Sequence, residues 1–141
     1  MKLLALDIGD VWTGTAMTDA LGMFARPYKT LETSALNAGL HDIFSKEKIQ
    51  KVVIGYPRTM RGTVSEQTKK VEEAKVLLEK EFPDKTFILW DERLSSKRAD
   101  LLKRAQTKED KIKSHSIAAA FILENYLQFT RIVEEPVEEE I

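Results

Sequence analysis

The spacing of apolar and polar positions divides the 141-residue chain into short segments. Lys2 to Ile8 is a nearly unbroken apolar run and reads as a buried strand. Gly9 and Gly14 bracket a tight turn, and Thr15 to Thr18 return as a second strand, which makes the pair a hairpin. Gly22 to Thr30 carries Met23, Phe24, Pro27 and Tyr28, and predicts a third strand at or near a sheet edge, because Pro27 has no amide to donate. Leu36, Leu40, Ile43 and Phe44 then recur at helical spacing, with Thr33 or Ser34 as the cap. Lys51 to Gly55 contains Val52, Val53 and Ile54 in succession, the pattern of a central strand covered on both faces.

Tyr56 to Val64 has Pro57 and Gly62 and no periodicity, so it reads as a loop. Thr63 and Glu66 stand at capping-box spacing before a helix whose apolar face holds Val71, Ala74, Leu77 and Leu78. Thr86 to Trp90 predicts another buried strand, Ser95 to Arg104 a short basic helix and Ala105 to Ile112 a polar connection. Ser116 to Gln128 predicts a last helix with Ile117, Ala120, Leu123 and Leu127 along one side. This order describes an α/β fold with a mixed five-stranded sheet flanked by helices. Three strands form an antiparallel meander and two are added in parallel through helical crossovers. Residues 1–130 make one domain, and 131–141 an acidic, disordered tail.

Composition narrows the classes. With no cysteine, disulfide frameworks, thiolate metal sites and thiol nucleophiles are excluded. No run reaches the roughly 18 apolar residues of a membrane span, and no secretory signal opens the chain, so a cytoplasmic protein without a membrane partner is expected. The net charge of −1 conceals a division: residues 131–141 carry five Glu against one Arg, whereas residues 1–130 hold 21 Lys and Arg against 18 Asp and Glu. Arg93 to Lys113 has eight basic residues against Asp100, Glu109 and Asp110. Such a segment either faces phosphates or forms a solvated helix face.

The chemistry gathers at strand ends. Asp7 closes the first strand, and Asp91 and Glu92 follow the FILW strand. A topology of this kind can bring Asp7 and Glu92 together, and two adjacent carboxylates repel unless a cation lies between them. Oxygen ligands suit magnesium or manganese, which can activate a water against a phosphodiester. Arg58 and Arg61 in the loop, Arg93 beside Glu92, Lys97 and Arg98 on the basic helix, and Lys113 are the candidate phosphate contacts. Singly, each also reads as a surface residue, and Arg93 also as a salt-bridge partner that orients Glu92.

DIGDVWTG, the VIGYP loop with Gly62 after it, DERLSS and SHSIAAAFILENYL stand in the order and spacing of the YqgF proteins, also called RuvX. The chain resembles this family over about residues 2 to 129. The resemblance implies a ribonuclease-H-like fold and a nuclease using Mg2+ or Mn2+. It implies a structured nucleic acid as partner: the 5′ end of pre-16S rRNA, in a ribosomal particle, or a branched DNA such as a Holliday junction. Monomer and homodimer are both compatible with it. Asp7 would be the first metal ligand and Glu92 the second. His115 occupies the third acidic position, where family members usually have Asp.

That departure leaves three readings. His115 is a metal ligand, favoured by neutral imidazole at a helix N-terminus; or a proton carrier; or an exposed first-turn residue in a catalytically impaired RNA-binding assembly factor. The opening turn departs as well. Asp10 either binds turn amides or adds a ligand, and Trp12, where Arg is common, either stacks on a base or covers the core edge.

Overall fold

The computed structural model describes residues 2–56, 66–91 and 107–134. Its strands are β1 (Lys2–Ile8), β2 (Trp12–Thr18), β3 (Ala25–Glu32), β4 (Ile49–Tyr56) and β5 (Thr86–Asp91). Its helices are α1 (Leu36–Lys46), entered through a 3-10 turn at Thr33–Ala35, α2 (Glu66–Glu81) and α3 (Lys108–Glu134). The sheet order is β3-β2-β1-β4-β5. β1, β2 and β3 pair antiparallel, while β4 joins β1 in parallel and β5 joins β4 in parallel. This is the mixed sheet expected from the sequence. β1 is the middle strand and β4 an interior one, so the C-terminal ends of β1, β4 and β5 share one edge.

Alternation along β1 assigns the layers. Leu4, Leu6 and Ile8 pack with Val52, Ile54, Leu40, Ile43, Val71 and Leu78, on the face covered by α1 and α2. Ala5 packs with Ala16, Val53, Ala119, Leu123 and Tyr126, on the face covered by α3. The two layers differ in side-chain size, because large aliphatics keep α1 and α2 at ordinary distance whereas alanines and Gly14 let α3 lie against the strands.

Several expectations need correction. Gly14 does not bracket the turn: β2 begins at Trp12, and Gly14 lies inside it, paired with Asp7. A Cβ at Gly14 would overlap the main-chain carbonyl of His115, so glycine is there for close approach of α3. Neither Thr33 nor Ser34 caps α1; its N-cap is Ala35, and the Thr33 hydroxyl is engaged by the β1–β2 turn. Leu77 is 63 % exposed, since α2 turns a narrower face to the sheet than its composition suggests. β5 is an edge strand, in which Phe87 is buried and Ile88, Leu89 and Trp90 are half-buried.

The largest difference concerns α3, which begins at Lys108, inside the expected polar connection, and runs past Gln128 to Glu134. Thr107 Oγ1 accepts from the Asp110 amide and Asp110 Oδ2 from the Thr107 amide, a reciprocal cap that stabilises a start among polar residues. The helix therefore passes the boundary expected at residue 130. The 56–64 loop beyond Tyr56, the Thr63 cap, the Ser95 to Arg104 helix and residues 135–141 of the tail lie outside the described residues.

Candidate functional site

Asp7 is the penultimate residue of β1 and only 2 % exposed. Burying an ionised carboxylate costs several kcal/mol, on the order of magnitude for an unbalanced charge, so such a position requires compensation. By alternation with Ala5 it belongs to the α3 face, directly across from Gly14. That pairing matters because the His115 main chain fills the space above Gly14. At Gly9 a Cβ would stand 2.7 Å from the Trp12 carbonyl oxygen and 3.7 Å from His115 Cε1, which places the imidazole against the turn that follows Asp7. Two of the three expected site residues, Asp7 and His115, are thus brought to one corner of the sheet.

His115 is half-buried and about two turns inside α3. The expectation of an exposed first-turn residue is wrong, and so is the argument that a helix N-terminus keeps its ring neutral, because the macrodipole acts within the first turn only. Thr30 Oγ1 donates to the Ile112 carbonyl at 2.7 Å and ties this part of α3 to β3. Lys113 is exposed on α3, as are Lys108 and Lys111. Glu92, Arg58, Arg61, Arg93, Lys97 and Arg98 lie outside the described residues. Among the described residues, no group of three or more His, Asp or Glu side chains is placed to hold a metal ion.

The turn after Asp7 is fixed from three directions. The Gly9 amide donates to the Trp12 carbonyl at 2.9 Å, closing the turn itself. Thr33 Oγ1 donates to the Gly9 carbonyl at 2.7 Å and lies 2.9 Å from Thr13 Oγ1, and the Thr33 amide donates to the Val11 carbonyl at 2.9 Å. From α2, Gln67 Nε2 donates to the Ile8 carbonyl at 3.0 Å and Lys70 Nζ to Asp10 Oδ1 at 3.0 Å. The Asp10 hydrogen bond, and then its charge, hold the Lys70 ammonium above its ordinary pKa. Both groups are exposed, so this pair orients the turn more than it stabilises it. No sequence pattern marks Gln67, because its partner is a main-chain carbonyl 59 positions away; Thr33 is visible in the sequence only as a helix cap.

A family model described as RuvX, Holliday junction resolvase, matches residues 1–129. A protein of Rubrobacter xylanophilus named "Putative pre-16S rRNA nuclease" is 35% identical over 128 residues, covering 90% of this chain and 92% of that protein. One of the same name from Clostridium tetani is 39% identical over 138 residues, covering 90% and 96%. Among solved structures, Thermus thermophilus RuvC in complex with a Holliday junction substrate superposes with a TM-score of 0.58 at 14% identity, covering 94% of this chain and 96% of that one. The fold is therefore RuvC-like, the ribonuclease-H-like arrangement expected from the sequence.

Proposed function

This chain belongs to the RuvX family, described as Holliday junction resolvases, and from that membership we propose that it is a divalent-metal-dependent nuclease that processes the 5′ end of pre-16S rRNA in the cytoplasm. The observation that carries the reading is the buried carboxylate of Asp7 at the end of the middle strand, with His115 of α3 packed against the same turn. A hard carboxylate oxygen and an imidazole nitrogen suit Mn2+, and Mg2+ when a second carboxylate joins them. Glu92 is the second carboxylate in this proposal. In the sequence it directly follows Asp91, the last residue of β5, whose C-terminal end shares a sheet edge with that of β1.

A bound cation would polarise the attacking water and stabilise the leaving oxygen of the phosphodiester. The remaining work belongs to the chain. Asp7 holds its ligand position because the carbonyls that follow it, at Ile8 and Gly9, are fixed by Gln67 and Thr33. His115 completes the donor set from α3, which covers the same face of the sheet. Lys113, with Arg58, Arg61, Arg93, Lys97 and Arg98, supplies cations for the substrate backbone.

The experiment incubates the purified protein with a pre-16S rRNA fragment carrying its 5′ extension and, separately, with a four-way DNA junction, each with Mg2+ or Mn2+. An Asp7→Asn protein runs beside it. Metal-dependent RNA cleavage that disappears in Asp7→Asn is the expected result. Cleavage of the junction alone would make the protein a resolvase. Binding of RNA without cleavage would make it an assembly factor, and cleavage surviving in Asp7→Asn would remove Asp7 from the reaction.

A further inference from the structure

Trp12 is the aromatic residue at this corner that the proposed reaction leaves unused. It opens β2 and shares the face of Gly14 and Asp7 by strand alternation. Its main chain is locked, because its carbonyl accepts from the Gly9 amide at 2.9 Å. Gly9 carries no side chain between it and His115: a Cβ there would reach the Trp12 carbonyl oxygen at 2.7 Å and His115 Cε1 at 3.7 Å. The imidazole, the bare glycine and Trp12 therefore follow one another along the open end of the sheet, beginning beside Asp7.

Among the described residues, core packing does not account for an indole at this position. Trp90 packs against the α3-side cluster and stacks edge-on with Tyr126, whereas Trp12 belongs to neither hydrophobic cluster. It is half-buried, and the two residues before it, Asp10 and Val11, are exposed. A half-buried indole on a fixed main chain offers a flat apolar surface beside the Asp7 turn. Every base has a π-face that such a surface can take, but in a continuous duplex those faces are already stacked on one another. Only an unpaired nucleotide can lay its base on Trp12.

The geometry points to Trp12 as a stacking platform for one unpaired nucleobase, next to the phosphodiester that a cation at Asp7 would hold. The substrate is then single-stranded, or locally unpaired, where it is cut. The position of the phosphate rests on the nuclease reading above; the stacking itself requires no cleavage.

The test reads binding, not turnover. In the Asp7→Asn background, an RNA of about 12 nucleotides is titrated by fluorescence anisotropy as a single strand and as a blunt duplex. Trp12→Ala should weaken the single strand about tenfold and leave the duplex within about twofold, and Trp12→Phe should keep single-strand affinity within about threefold. In a Trp90→Phe protein, where Trp12 is the sole indole, single-stranded RNA should quench the remaining fluorescence. An unchanged single-strand affinity in Trp12→Ala, an equal loss on both probes, or absence of quenching overturns the assignment. The quenching measurement decides alone if Trp12→Ala does not fold. Failure of the nuclease reading shows separately, as wild-type protein that discriminates the two probes but cuts neither.

Discussion

The β1–β2 turn, Gly9 to Val11, is held from outside, by Thr33 of the 3-10 turn and by Gln67 and Lys70 of α2. The β2–β3 turn at the opposite end of the sheet is held mostly by its own bonds, with one from outside, Arg131 of α3 donating to the Met23 carbonyl. Asp19 Oδ1 accepts from the Met23 amide at 2.8 Å, the Asp19 carbonyl accepts from the Gly22 amide, and Gly22 takes a φ of 68°. The Asp19 carboxyl lies below its ordinary pKa chiefly through that Met23 amide. That turn displays Leu21, Met23 and Phe24 to solvent, and among the described residues it has no buried acid near it. The dependent turn adjoins Asp7 and His115. Three side chains from other elements reach the turn beside Asp7 and His115, whereas a single one reaches the turn that is closed mainly by Asp19.

Substitutions at the two ends should therefore differ in kind. The largest effect is expected at Gly14, where any side chain displaces α3: Gly14→Val should lose about 3 kcal/mol or more in urea unfolding, or fail to fold, because backbone cannot yield as a flexible side chain does. Thr33→Val removes the donor to the Gly9 carbonyl and should lose about 2 kcal/mol, with a fall in cleavage rate that exceeds any change in RNA affinity. Gln67→Leu should lose about 1 kcal/mol and show the same separation of kcat from KM.

At the distal turn the pattern should reverse. Gly22→Ala places a Cβ at positive φ in open space, and should lose about 1 kcal/mol or less with kcat unchanged. Asp19→Ala should give the smallest effect, and its pH dependence identifies it. A depressed carboxyl contributes stability above its unfolded value, here 3.8, and that contribution fades as pH falls through the lower folded value. The stability difference between wild type and Asp19→Ala should be complete near neutral pH and shrink in acid. A change in cleavage with Gly22→Ala, or none with Gln67→Leu, would erase the distinction between the turns.

The sheet was legible because its signals are local: Leu4 and Leu6 alternate with Ala5, and Pro27 marks an edge. Asp7 was legible because an acid in an apolar strand stands out. His115 was visible through the resemblance of its segment to a family, but its setting was not, since Lys108 to Lys113 lacks an apolar stripe and the Thr107 to Asp110 cap is built of polar residues that suit a loop equally well. Gln67 and Thr33 were illegible as turn clamps, because a bond to a main-chain carbonyl leaves no mark on the residue that accepts it. Gly14 was misplaced because glycine signals a turn and a close helix contact equally well.

On the proposed function, Asp7 and His115 share one cation site at the β1–β2 turn. Titration of 15N-labelled protein with Mn2+ tests it directly, since the paramagnetic ion broadens amides near it. The expected result is early broadening of the amides of residues 7–14 and 113–117, sharp signals through residues 19–24, and loss of the effect in Asp7→Asn. Broadening that persists unchanged in Asp7→Asn, or that first strikes the distal turn, would contradict it.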